Sequence, residues 1–151
     1  MDMLDEACRI LRSMWTQETT TFEGKHWQLK DAWCEPKPVQ AHIPLVIGGG
    51  GEKRTLRIVA EHADIWNTFL STPEEHQHKL DVLAGHCADV GRDFDDIRVS
   101  MTFRVVVRAS EADAAAIAEP QIAHFREVNP RMADMFVYGT PEQVVERLLP
   151  F

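Results

Sequence analysis

The chain has 151 residues, 44% of them hydrophobic and 26% charged, which is enough for one ordinary soluble domain with a real core. Twenty-four acidic residues against 16 basic ones leave a formal net charge of −8, which argues against general nucleic-acid binding because that needs a basic face. No run approaches the ~18–20 apolar residues of a membrane span, the N-terminus is not a signal peptide, and Cys8, Cys34 and Cys87 are odd in number without a CxxC spacing, so a cytoplasmic protein with reduced thiols is expected.

Leu4, Ala7, Cys8, Leu11, Met14 and Trp15 recur at helical spacing, predicting a helix from about Asp2 to Trp15. Residues 19–30 form the pattern of a hairpin turning at Glu23-Gly24. Pro36 and Pro38 give an extended lead-in to Ile43, Leu45, Val46 and Ile47, a short apolar run of the kind that makes a strand buried on both faces. Four glycines follow, then a helix from Glu52 to His62 with Leu56, Val59, Ala60 and Ala63 on one side. Asp64–Asn67 is a second short strand. Thr72-Pro73-Glu74-Glu75 reads as a capping box opening a helix whose apolar face is Leu80, Leu83, Cys87 and Val90, ending at Gly91.

From Ile97 to Val107 apolar and polar residues alternate, predicting one long strand. Ser110 and Asp113 signal another helix start, and residues 112–118 favour helix. Residues 124–137 are poorly periodic and read as loop with helical pieces. Thr140-Pro141-Glu142-Gln143 opens a final helix. Strands alternating with helices indicate an α/β fold with a parallel sheet of about three strands.

The glycine run is the most informative segment. Gly48, Gly49, Gly50 and Gly51 lack a Cβ, so the backbone there can approach a ligand closely. A glycine loop feeding a helix N-terminus suits an anion, because free N–H groups and the positive dipole end point the same way. The loop is neither GxGxxG nor a Walker loop, and a tight turn without ligand is the alternative. Lys53, Arg54 and Arg57 either add positive charge beside it or form an ordinary solvated helix face.

No nucleophile constellation is visible: there is no GxSxG, and no cysteine adjoins a suitably placed His. His76 and His78 are two apart, on different faces of a helix, and His86-Cys87 lacks two further ligands at zinc-site spacing. No metal is expected.

The run IPLVIGGGGEKRTLRIVAEHADIWN, preceded by MWTQETTTFEGKHWQLKDAWCEPKPVQ and followed by GTPEQVVERL, resembles the luciferase-like monooxygenase superfamily, and within it the coenzyme F420-dependent oxidoreductases. The resemblance implies that residues 1–151 are the C-terminal portion of a (β/α)₈ TIM barrel, truncated at both ends, with Val46, Ile65 and Phe103 on its fifth, sixth and seventh strands. It implies that the backbone of Gly48 to Gly51, with Glu52, contacts coenzyme F420 or, alternatively, FMN. Trp66, Asn67 and Thr68 would stand at the barrel mouth toward a small-molecule substrate, with the loop Thr68–Ser71, and Arg104 could point into the barrel. Catalytic acid/base groups would lie mostly in the N-terminal strands, so none is assigned.

The resemblance implies part of a hydride-transferring, F420-dependent oxidoreductase, for which a homodimer is one option at full length and which is inactive as this fragment alone. The rivals are an FMN-dependent monooxygenase of the same superfamily and a non-catalytic anion-binding half-barrel.

Overall fold

A computed structural model of the chain describes residues 1–69 and 72–151. The elements in order are α1 (Asp2–Thr16), β1 (Thr20–Glu23), β2 (Gln28–Ala32), β3 (Val46–Gly48), α2 (Thr55–His62), β4 (Ile65–Thr68) and α3 (Pro73–Val90). They continue with β5 (Arg98–Met101), β6 (Arg104–Val107), α4 (Glu111–Val128), α5 (Pro130–Ala133), β7 (Phe136–Gly139) and α6 (Pro141–Leu148). Strands β3, β4 and β5 form one sheet in that order, β6 and β7 a second, and β1 and β2 an antiparallel hairpin. β3 pairs in parallel with β4, and β6 with β7, each pair joined through helix, which is the expected α/β architecture. The chain falls into two compact units, residues 1–67 with 81–99, and residues 68–80 with 100–151.

The first unit has its core where the apolar spacing places it. Leu56, Val59, Ala60 and Ala63 on the inner side of α2 are fully buried, as are Trp66 of β4 and Leu83 of α3. Burying such side chains stabilises the fold by about 1.5–3 kcal/mol each for Leu or Val. Cys8 and Cys87 belong to the same core, and burial pushes both thiols up. α3 ends where Gly91 predicts, with the Gly91 N–H on the Ala88 carbonyl and the Arg92 N–H on that of Cys87.

Two carboxylates fasten α1 to its neighbours. Asp64, just before β4, accepts from the Leu45 N–H at 2.6 Å, from Arg12 of α1, and from His42 Nε2 at 2.7 Å. Arg12 also donates to the carbonyls of Ile43 and His62, so one guanidinium gathers the start of both strands. Partial burial raises the Asp64 pKa, but the Leu45 amide, Arg12 and His42 outweigh it and hold the carboxyl below its usual range. Glu6 is buried at the other end of the hairpin contact. Its carboxylate accepts from the N–H groups of Lys25, His26 and Trp27, at 2.8, 3.0 and 3.0 Å. Desolvation raises its pKa and the three amides more than compensate, so the net shift is downward. A Cβ on Gly24 would collide with that carboxylate, which explains glycine in the turn.

In the second unit, β6 and β7 run in register from Arg104 opposite Phe136 to Val107 opposite Gly139. Thr140 caps α6 with the reciprocal Gln143 contact of a capping box, and the Ser110 side chain accepts from the Asp113 N–H at the start of α4. Thr72 does the same for Glu75 at the start of α3. The Arg104 guanidinium lies over the rings of Phe125 and Phe136, 4.5 and 5.7 Å from their centroids. Arg104 is therefore packed on aromatic rings of its own unit. His76 is buried near Phe151, and burial alone pushes its pKa down.

The structure departs from the local sequence pattern in several places. The strand expected from Ile43 is only Val46–Gly48, and it is not buried on both faces: Leu45 and Ile47 are buried while Val46 is 56% exposed. β3 is also the edge strand of its sheet, so one of its hydrogen-bonding edges has no strand partner among the described residues. α2 begins at Thr55, not Glu52, because the glycine loop turns through residues 52–54 before regular helical bonding starts. The long strand over 97–107 is broken at Thr102-Phe103: the Thr102 N–H goes to the Thr68 carbonyl and the Arg104 N–H to that of Met135, so the chain changes pairing partner there. Residues 124–137 are more ordered than expected, with α4 continuing to Val128, the short α5, and β7 beginning at Phe136.

An Asp in an unfolded chain titrates at about 3.9. The folded pKa of Asp64 lies lower, so its stabilisation is full above that value and lost as pH falls through the folded-state pKa. Asp64→Asn is expected to cost about 2 kcal/mol at pH 7 and to make the acid side of a urea-midpoint profile shallower. Glu6→Ala is expected to speed hydrogen exchange at the Lys25, His26 and Trp27 amides ahead of the rest of the chain.

Candidate cofactor-binding loop

Residues 48–54 connect the C-terminal end of β3 to α2. In sheets of this class ligands gather outside the carboxyl ends of the strands, so this is the favoured end. Gly48 is the last residue of β3, opposite Asn67 of β4. Gly49 has φ +120°, a conformation that side-chain-bearing residues rarely adopt. Its N–H donates to the Asn67 carbonyl at 3.1 Å, and its own carbonyl accepts the Trp66 indole N–H at 2.7 Å. Further along, the Glu52 carbonyl accepts from His86 Nε2 of α3, also at 2.7 Å. The N–H groups of Gly50, Gly51 and Lys53 donate to nothing among the described residues. The Leu56 N–H reaches back to the Gly51 carbonyl.

α3, α4 and α6 have capping side chains, whereas no side chain caps α2. Its first amides are thus not engaged by a cap, and its dipole adds positive potential on the side of the loop. Of the nearby cations, Arg54 pairs with Asp2, and Arg57 with Glu61 at 2.6 Å and Asp89 at 3.5 Å. Those two arginines belong to an ion-paired helix surface. Lys53 makes no ion pair among the described residues.

The other site residues expected from the sequence divide clearly. Trp66 is fully buried, and its polar atom meets the loop. Asn67 is half-buried, and its carbonyl takes the Gly49 N–H. Thr68 is buried, with its carbonyl on the Thr102 N–H. Of the loop Thr68–Ser71, Leu70 and Ser71 lie outside the described residues. His86 was not legible as part of this loop, since its sequence signal was only a histidine next to a core cysteine. Also unforeseen is a cluster of Asp5, Glu61 and His62, whose ligand atoms lie within 4.8 Å of one another. His62 Nε2 is already bonded to Asp5 at 2.7 Å and Glu61 to Arg57, so the group is satisfied as an ion-pair network.

The model of the luciferase-like monooxygenase family matches residues 1–133. The chain belongs to that family. It is 31% identical over 123 residues to the pyrimidine monooxygenase RutA of Acinetobacter baylyi, a stretch covering 80% of this chain and 31% of that protein. Among solved structures, it is similar to the coenzyme F420-dependent tetrahydromethanopterin reductase of Methanopyrus kandleri. That likeness has a TM-score of 0.75 and 17% identity, covering 97% of this chain and 54% of the other. It is also similar to the oxygenating constituent of the 3,6-diketocamphane monooxygenase of Pseudomonas putida, in complex with FMN. Here the TM-score is 0.64 at 17% identity, with coverage of 98% and 52%. These likenesses show the luciferase-like barrel fold. The chain spans a third or less of the curated relatives it matches and about half of these solved chains. Among the described residues, no helix is long and apolar enough to cross a membrane.

Proposed function

We propose that residues Gly48–Glu52 hold the phosphate-bearing part of coenzyme F420, and that the chain is part of an oxidoreductase acting on a small organic substrate. The observation that carries this reading is the loop itself. In a chain of the luciferase-like family, a glycine turn leaves the C-terminal end of a parallel strand and presents unengaged amides ahead of an uncapped helix. A phosphate fits such a donor set, which supplies several N–H groups and positive potential without burying a fixed counter-charge. The bound deazaflavin would supply hydride transfer at its ring carbon. The loop's part would be to hold the phosphate-bearing end of that cofactor through its backbone N–H groups. Asn67, opposite Gly48 on β4, supports the wall of that site.

FMN is the second reading, favoured by the FMN-bound structure among the neighbours and by the monooxygenase relative. Both cofactors carry a phosphate, so the loop serves either. Equilibrium titrations of the chain with F420 and with FMN, followed by fluorescence, separate the two: tighter binding of F420 is expected, and FMN binding without F420 binding overturns the choice. Gly49→Ala would force an L-residue into φ +120° and disturb the Trp66 and Asn67 contacts together. It is expected to weaken the preferred cofactor at least about tenfold, which corresponds to ~1.4 kcal/mol.

A further inference from the structure

We infer that Trp66 and His86 are positioning residues that decide which amides of the glycine loop face an anion, namely those of Gly50 and Lys53. The inference rests on the reading of the loop as a phosphate grip and goes on to what orients it. A trans peptide is planar, so its C=O and the N–H of the following residue point in opposite directions. The peptides after Gly49 and after Glu52 are both trans. The Trp66 indole N–H holds the Gly49 carbonyl at 2.7 Å, so the Gly50 N–H in the same plane points away from Trp66. His86 Nε2 holds the Glu52 carbonyl at 2.7 Å, so the Lys53 N–H points away from His86. Those two N–H groups donate to nothing among the described residues, while the Gly49 N–H is spent on Asn67.

Consecutive glycines have no side chains to pack and lose the most conformational freedom on ordering. Such a loop presents its amides in a fixed direction only if something outside it holds the peptide planes. Trp66 comes from β4 and is fully buried, and His86 comes from α3 and is half-buried. Trp66 is therefore set by packing and His86 by its place on α3, and preorganised donors bind without an ordering cost at the moment of association. Since a carbonyl only accepts, His86 carries a proton on Nε2 in this arrangement.

The test compares ligand pairs that differ in whether they carry the phosphate: FMN with riboflavin, and F420 with 8-hydroxy-5-deazariboflavin. Trp66→Phe keeps an aromatic ring but removes the N–H. His86→Leu removes the second donor at a less buried position, and His86→Gln restores one. The phosphate-bearing member is expected to lose about tenfold in affinity in Trp66→Phe and His86→Leu, with the phosphate-free member changed less than about twofold, and His86→Gln is expected to recover most of the loss. Equal weakening of both members, or a phosphate preference that the variants leave intact, overturns the positioning role. A wild-type chain with no phosphate preference in either pair, including one that binds neither, overturns the reading of the loop and this inference with it.

Discussion

The first unit depends on the burial of Trp66. Its ring is fully buried, as are Leu56, Val59 and Leu83 of the same unit, while its one polar atom bonds to the Gly49 carbonyl. A buried indole N–H without an acceptor would cost about 1–3 kcal/mol, so core and loop geometry are specified together. The parallel register, with Ile47 opposite Trp66 and Gly48 opposite Asn67, brings that acceptor within reach. A slip of one residue would send the indole to the other face of the sheet.

Arg12 and Asp64 perform the complementary task at the opposite ends of the strands. Their contacts with Leu45, Ile43 and His62 gather the entries to β3 and β4 against α1. Barrel-type sheets separate these duties: strand starts carry stability and strand ends carry ligand contacts. Here the charged, mutually satisfied cluster is at the starts and the unengaged amides are at the ends.

Much of this was legible where one periodicity held over several residues. The helical spacing in residues 2–15, the apolar side of residues 56–63 and the capping signals at Thr72 and Thr140 translate directly into packing and hydrogen bonds. The luciferase-like fold was legible for a different reason, the order and spacing of several short motifs. One failure comes from tertiary pairing overriding local pattern. Alternation over 97–107 cannot reveal that Arg104 turns to pair with the strand of Phe136, because the break depends on a partner over thirty residues away. β7 was missed since four residues, FVYG, give too little pattern to stand out. His86 was invisible as a loop contact because its partner is a backbone carbonyl, which no residue identity announces.

The grip of Glu6 on the hairpin has a consequence for how this surface tolerates change. Its carboxylate binds the main chain of Lys25, His26 and Trp27, and those side chains are exposed. The turn is therefore recognised by shape and not by residue identity. Any non-proline sequence of the same length, with Gly24 retained, preserves all three contacts. Residues 25–27 thus form a natural place to graft a label or an affinity epitope, whereas Glu6 and Gly24 have to be inherited as a pair.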